Sequence, residues 1–204
     1  MRNFLLTFIF TIISFTMFSQ HYYWYKGEKI FLDKIENKKF IVFNSFEDPS
    51  TLRNALNVPN LVINKFDKLK IETGLTLMKP LNEIKSNWAV IELPKSKYLE
   101  NNEKILYQAP FFLTPEKVEA GLSNLFYVKL KKPEDLDILQ KVALENKVEL
   151  IGNNKFMPLW YTLSCSKNSK GNSLQMANYF YEIGRFEASQ PDLMTDDSPL
   201  CVND

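Results

Sequence analysis

The chain has 204 residues, 45% of them apolar, and its 25 basic residues nearly balance its 24 acidic residues. This apolar content is sufficient for the hydrophobic core of one large domain or two small ones. A net charge close to zero argues against a nucleic-acid-binding protein, for which a basic stripe is expected.

Residues 1–20 predict a secretory signal peptide. Arg2 precedes an apolar run from Phe4 to Phe18, which ends in the polar pair Ser19 and Gln20. The run is shorter than the roughly 20 residues that a membrane-spanning helix needs, so we expect export with cleavage rather than a membrane anchor. The mature chain is therefore expected to be secreted or periplasmic, with no membrane association after cleavage.

His21 is the sequence's one histidine, and it lies at the expected mature N-terminus. A nucleophilic serine, threonine or cysteine needs a neighbouring base, and a structural zinc ion needs four ligands. We therefore expect no catalytic residues, no metal site and no cofactor, and we predict that the protein is not an enzyme. Because export favours pairing of an even number of cysteines, Cys165 and Cys201 are predicted to form a disulfide, with two independent thiols as the alternative.

Residues 21–115 are predicted to form a β-rich α+β domain. "YYWYKGEKIFL", "KKFIVFN", "NWAVIEL" and "KILYQAPFFL" have the composition of strands, and "DPSTLRNALN" that of a short helix. The aromatic residues 22–25 are expected to pack on a sheet. The boundary with the next domain is predicted between Leu113 and Asn124.

Residues 124–194 are predicted to follow the order strand, helix, strand, strand, helix, strand. "NLFYVKLK", "KVELIG", "PLWYTLSC" and "FEASQPDLM" supply the strands. The first helix follows Pro133, and Ser173 is predicted to cap the second. This order is that of a ferredoxin-like plait, in which both helices cover one face of a four-stranded sheet. Pro191 is expected at a sheet edge, and residues 195–204 are expected to form a C-terminal tail.

The uncovered sheet face is the predicted binding surface. With Phe126, Val128 and Leu130 under the helices, Tyr127 and Lys129 point away from them. Trp160 and Thr162 do the same if the residues between and after them face the core. A large aromatic side chain such as Trp160 commonly anchors an interface. The alternative is that Trp160 packs against the N-terminal half of the same chain.

The two halves share a sequence echo. "KKFIVFNSFEDPSTLRNAL" has the same strand, acidic turn and helix as "LFYVKLKKPEDLDILQKVA", and "NWAVIEL" matches "LWYTLSC" in pattern. A duplication, which would make the N-terminal half a second, diverged plait, and a convergent alternation of apolar residues both account for it.

The stretch "NLFYVKLKKPEDLDILQKVALENKVELIGNNKFMPLWYTLSCSKNSKGNSLQMANYFYEIGRFEASQPDLM" closely resembles the N-terminal prosegment of secreted subtilisin-like serine proteases of Bacteroidetes-type bacteria. "YYWYKGEKI", "ILYQAPFF" and "CVND" extend the resemblance over nearly all of the mature chain. The sequence contains no motif of the protease's own catalytic triad, so the resemblance implies a prosegment without its enzyme.

The resemblance implies that the partner is the catalytic domain of a subtilisin-like serine protease. Prosegments of this family act as chaperones and temporary inhibitors: the open sheet face packs on the protease, and the C-terminal tail lies in the substrate cleft. Met194 and Thr195, where the tail begins, are therefore expected to bind the partner together with the sheet face. The competing hypotheses are a remnant without independent activity, a secreted surface-binding module, and a secreted enzyme.

Overall fold

Ten antiparallel strands and three α-helices make up the part of the chain that the computed structural model describes, which is residues 20–44, 48–58, 60–68, 75–78, 86–94, 99 and 102–195. The predicted α+β class is therefore confirmed. Apart from Gln20 and Thr195, the predicted signal peptide and the predicted tail lie outside the described residues.

The N-terminal half contributes six strands and one helix. In chain order these elements are β1 (His21–Tyr25), β2 (Glu28–Asn44), α1 (Pro49–Leu56), β3 (Val62–Lys68), β4 (Leu75–Leu77), β5 (Ser86–Glu92) and β6 (Ile105–Leu113). The sequence patterns predicted α1, β5 and β6. A turn at residues 26–27 divides the predicted strand "YYWYKGEKIFL" between β1 and the start of β2, and "KKFIVFN" forms the end of the 17-residue strand β2. The patterns missed β3 and β4.

The C-terminal half follows the predicted order of strands and helices. Its elements are β7 (Glu119–Lys129), a 3-10 turn (Pro133–Asp135) that leads into α2 (Leu136–Glu145), β8 (Glu149–Asn154), β9 (Trp160–Ser164), α3 (Ser173–Glu182) and β10 (Ala188–Met194). Within the described residues β10 pairs with β7 alone, so Pro191 lies on an edge strand as predicted.

Side-chain caps fix the start of α1 and of α3. The carboxylate of Asp48 accepts hydrogen bonds from the backbone N–H groups of Ser50 (2.7 Å) and Thr51 (2.9 Å), which satisfies donors at the start of α1. Asn172 caps α3 in a reciprocal pair of hydrogen bonds with Gln175. The predicted cap Ser173 is wrong by one residue, because its hydroxyl is buried and donates to the backbone carbonyl of another element.

The strands of both halves are arranged in the same order. In the C-terminal half the order across the sheet is β10-β7-β9-β8, and in the N-terminal half it is β6-β2-β5-β3. If β1 and β4 are left out, each half has four strands. Numbered along the chain within each half, these strands lie in the order fourth, first, third, second across the sheet. Every pairing is antiparallel.

Strand β7 joins the two halves into one sheet. One edge of β7 pairs with β10, and the other pairs with β6 near Gly121 and with β9 beyond Leu125. Gly121 is required at this junction, because a Cβ atom there would lie 2.6 Å from the ring of Phe111. The junction lies inside the predicted boundary between Leu113 and Asn124, and β7 begins within that boundary and continues beyond it as one strand.

Two hydrophobic cores lie on the two faces of the N-terminal sheet. Ile41 and Phe43 face α1 and pack with Leu52 in the smaller core. Phe40 and Val42, on the opposite face of β2, belong to a larger core shared with the C-terminal half. Because this larger core takes residues from residues 21–115 and 124–194 alike, the independence of the two predicted domains stays a prediction.

Ten apolar residues of the predicted strands and helices of the C-terminal half contribute to the larger core. Seven are buried and three are partly buried against them, namely Phe126, Val128, Leu130, Leu139, Leu163, Met176 and Phe180, with Leu136, Val142 and Ile183.

The β1–β2 hairpin is held against α3. The carboxylate of Glu182 accepts hydrogen bonds from the hydroxyl of Tyr22 (2.7 Å) and the indole N–H of Trp24 (3.0 Å). The ring of Trp24 stacks on Tyr181 with centroids 4.9 Å apart. The aromatic residues expected to pack on a sheet therefore also hold a helix.

We expect Leu139→Ala to lower the free energy of unfolding by about 2 to 5 kcal/mol, because the substitution leaves a cavity beneath α2. Leu139 is fully buried, whereas Leu144 on the same helix is 80% exposed. Leu144→Ala is the matched control and should change the stability by less than about 0.5 kcal/mol. Equal effects of the two substitutions in urea titrations would show that the buried face of α2 is wrongly assigned.

The contact of the hairpin with α3 should weaken in acid. Burial raises the pKa of Glu182, but the hydrogen bonds from Trp24 and Tyr22, together with nearby Lys29, more than offset this and leave the pKa below its ordinary value. A lowered pKa means that the ionised carboxylate stabilises the contact above its ordinary pKa and that this contribution is lost as the pH falls through the folded-state value.

Hydrogen exchange of the β1 amides, measured from about pH 5 down to about pH 3 and corrected for intrinsic rates, should therefore show increasing opening of the hairpin. Glu182→Gln should remove most of this pH dependence. Glu145→Gln, at an exposed glutamate on α2, should keep it. Identical pH profiles for the wild type and Glu182→Gln would contradict the assignment.

Candidate functional site

The face of the C-terminal sheet opposite the helices is the candidate site. Phe126, Val128 and Leu130 on β7 are buried on the helix side, where the rings of Phe126 and Phe180 lie 5.2 Å apart. Tyr127 alternates with these residues and points to the other face, as strand geometry requires. Within the described residues no helix packs on that other face.

The pairing of β7 with β9 brings the four predicted sheet residues together. Tyr127 lies opposite Thr162, and Lys129 lies opposite Trp160. The intervening residue Tyr161 lies opposite Val128 and is buried on the helix side. The register therefore places the four residues on one face of the sheet. We call Tyr127, Lys129, Trp160 and Thr162 the open-face patch.

Neighbouring strands extend the open-face patch on both sides. Gln190 and Ala188 on β10 lie opposite Tyr127 and Lys129, and Gly152 on β8 lies opposite Thr162. Sequence reasoning missed Gln190 and Ala188. The alternation within "ASQPDLM" carried the signal, but the register with β7 was needed to place the two residues beside the patch.

The four patch residues differ in their accessibility. Thr162 is only 3% exposed, so it lies at the base of the patch and offers little contact area, contrary to the prediction. Tyr127, Lys129 and Trp160 are half-buried. Thr162 lies on the strand between β7 and β8, opposite Tyr127 on one side and Gly152 on the other.

Trp160 and Lys129 are the groups of the patch most available to a partner. Within the described residues Trp160 stacks on no other ring, its indole N–H has no hydrogen-bond acceptor, and it packs against neither hydrophobic core. The ammonium group of Lys129 has no carboxylate within ion-pair distance in the same part of the chain. This arrangement favours the docking interpretation of Trp160 over packing against the N-terminal half.

Met194 and Thr195 do not join the open-face patch. Met194 is the last residue of β10 and pairs with Gly121, six residues before Tyr127 on β7. At about 3.4 Å per residue this separation is roughly 20 Å. Thr195 follows and is half-buried, so the predicted tail contacts and the predicted sheet contacts lie at opposite ends of β7.

A buried polar network anchors the strand that leads to the tail. The carboxylate of Asp192 accepts a 2.6 Å hydrogen bond from the hydroxyl of Ser123. The hydroxyl of Ser173 donates to the backbone carbonyl of Ser123 at 2.5 Å and lies 3.0 Å from the hydroxyl of Tyr107. Burial raises the pKa of the Tyr107 phenol, so it stays protonated and able to donate. The network connects β6, β7, α3 and β10.

Cys165 is buried at the end of β9, and burial raises the pKa of its thiol to about 12 although a hydrogen bond with Ser169 opposes this rise. Cys201 lies outside the described residues, so the predicted disulfide stays a prediction.

The described residues contain no group of three histidine, cysteine or acidic side chains placed to hold a metal ion. None of the helices formed by them is long and apolar enough to span a bilayer.

We expect the oxidised mature protein to show no free thiol when it is titrated under denaturing, non-reducing conditions, because Cys165 and Cys201 are paired. In the reduced native protein Cys165 should resist alkylation near pH 8, since both its burial and a thiol pKa of about 12 suppress the thiolate. Two reactive thiols per chain without reductant would remove the disulfide. Cys201→Ser, which then leaves one thiol, is the control.

No family model matches the chain, and no curated protein matches its sequence.

Proposed function

We propose that this protein is a non-catalytic, prosegment-like binding protein that docks on a subtilisin-like serine protease as a chaperone, a temporary inhibitor or both. The observation that carries the proposal is the open-face patch, which has a half-buried tryptophan and a lysine without an ion pair among the described residues, on a sheet face that no described helix covers. The resemblance of residues 124–194 to subtilase prosegments supplies the identity of the partner. Residues 1–20 support export, so the protein is expected to act outside the cytoplasm.

We also propose that residues 124–194 form a ferredoxin-like plait. Three features support it: the strand order β10-β7-β9-β8, the antiparallel pairing throughout, and the packing of α2 and α3 on one face. In such a plait the helices stabilise one side of the sheet and leave the other available for contact. Binding through this surface requires no reactive group.

The two predicted contact regions have separate roles in the proposed complex. The open-face patch provides the contact area, with Trp160 as the anchor. The segment that begins at Met194 and Thr195 reaches the substrate cleft, where an extended peptide adds a strand to the edge of the enzyme's sheet. The distance of roughly 20 Å between the two regions suits a partner that is bound on its surface and in its cleft at once.

The test is inhibition of peptide hydrolysis by the purified catalytic domain of the subtilisin-like protease encoded nearest to this protein in its genome. We expect the mature protein to inhibit. Trp160→Ala should weaken inhibition about tenfold or more, because the anchor is lost. Tyr179→Ala removes an exposed aromatic side chain from α3 and should leave inhibition unchanged.

A truncation after Thr195 separates the role of the tail from that of the sheet, because it leaves β10 intact. The truncated protein should keep its far-UV circular dichroism and its binding to the protease but lose most of its inhibition. A refolding assay of the denatured catalytic domain tests the chaperone role. If the intact protein neither inhibits the protease nor assists its refolding, the proposal fails and the remnant hypothesis takes its place.

A further inference from the structure

The two halves repeat one another in strand register. Trp88 on β5 lies opposite Val42 on β2, and Trp160 on β9 lies opposite Lys129 on β7. The sequence echo independently aligns Val42 with Lys129 and Trp88 with Trp160. The strand pairing and the sequence comparison therefore match the same residues of the two halves.

An irregularity repeats at the same place. The pairing of β3 with β5 shifts between Ile63 and Lys65, and the pairing of β8 with β9 shifts between Leu150 and Gly152. Ile63 and Leu150 lie opposite Ile91 and Leu163, which the echo also aligns. A bulge inserts its extra residue at one defined position, so its repetition is a specific feature of both halves.

A proline repeats on the fourth strand of each half. Pro110 on β6 lies opposite Lys39, and Pro191 on β10 lies opposite Phe126. Lys39 and Phe126 are aligned by the echo, so the sequences "QAPFFLT" and "SQPDLMT" coincide. Alternation of apolar residues alone places neither a proline nor a bulge, so a duplication explains the halves and convergence does not.

The aligned faces of the two halves differ in chemistry. The positions of Tyr127, Lys129, Trp160 and Thr162 are occupied in the N-terminal half by Phe40, Val42, Trp88 and Val90. Phe40, Val42 and Val90 are buried in the core shared with the C-terminal half, and Trp88 packs against it. The ring of Trp88 stacks on Phe40 with centroids 5.6 Å apart, whereas Trp160 stacks on no ring within the described residues.

We infer that the two halves are copies of one α+β module whose interaction face is the sheet face opposite its first helix. The N-terminal copy uses this face to bind the C-terminal copy within the chain. The C-terminal copy presents it to a second protein, whose surface offers a carboxylate to Lys129 and a polar group to Gln190. The choice of a protein partner rests on the proposed function, whereas the duplication does not.

The charge on the C-terminal face specifies the partner. Lys129 stands where the N-terminal copy has Val42, and an ammonium group is tolerated there only if it stays hydrated or meets an acidic group. Val42 is 3% exposed, so the corresponding position of the N-terminal copy is closed to water. A surface that must separate from and rejoin its partner keeps such polar groups, whereas a permanent interface does not need them.

Exchange of the aligned residues tests the inference with two matched variants. Val42→Lys places a charge in the shared core and should lower the urea midpoint of unfolding by about 1 M or more. Lys129→Val introduces the residue that the other copy already has and should shift the midpoint by less than about 0.3 M. Equal losses would mean that the C-terminal face is covered within the chain, and the inference would be overturned even if the protease is inhibited.

The partner is tested with the same catalytic domain, by surface plasmon resonance at two salt concentrations. Lys129→Val should weaken binding about tenfold and reduce its salt dependence, because the ion pair is lost. Binding that keeps its affinity and salt dependence in Lys129→Val would overturn the acidic partner. If sedimentation shows that the wild type is a dimer and that Trp160→Ala is a monomer, the face binds a second copy of the chain and the acidic partner is overturned.

If the protein does not bind the protease but the two variants still differ in their unfolding midpoints, the proposed function and the partner are wrong, whereas the duplication is still supported.

Discussion

The structure depends on the burial of the second face of the N-terminal sheet against the C-terminal half. A sheet covered on one face by the single short helix α1 exposes an equally apolar surface on the other, and Phe40 and Val42 cannot remain in water without loss of stability. The C-terminal half covers these side chains. The buried hydroxyl of Tyr107 in the N-terminal half forms a hydrogen bond with Ser173 at the start of α3. This contact orients the second half relative to the first, since a buried hydroxyl requires its partner in place.

The remaining features of the site follow from that orientation. With the helix side of the C-terminal sheet committed to the shared core, the opposite side is the one left without a described helix. The pairing of β7 with β9 then determines which side chains lie there, and it places the indole of Trp160 opposite the ammonium group of Lys129. The polarity of these groups is compatible with a surface that is hydrated in the unbound protein and loses water when a partner binds.

The sequence was informative wherever a local pattern determines the structure. Alternation on β7 and β9 gave the orientation of Tyr127 and Trp160, and the helical stripe around Leu139 gave the buried face of α2, because both depend on periodicity alone. Thr162 could not be assigned as buried, because its exposure depends on contacts from outside its own strand. Strands β3 and β4 were missed because they are short or rich in charged residues and are stabilised by pairing with β5 and β8. The burial of Asp192 beside Ser123 was not predictable from its sequence neighbours.

The anchoring of β10 has a consequence for whatever follows it in the chain. Because Met194 is paired with Gly121 and Asp192 is bound by Ser123, Thr195 leaves the sheet from a fixed point and in a fixed direction. A peptide that starts there reaches at most about 3.6 Å per residue when fully extended. Once the sheet face is bound to a partner, such a peptide searches only the volume within its own extended length, which for a short peptide corresponds to an effective concentration in the millimolar range. A peptide with weak intrinsic affinity for a cleft can therefore occupy the cleft almost fully while the sheet face is bound. The peptide dissociates quickly once the sheet face has dissociated.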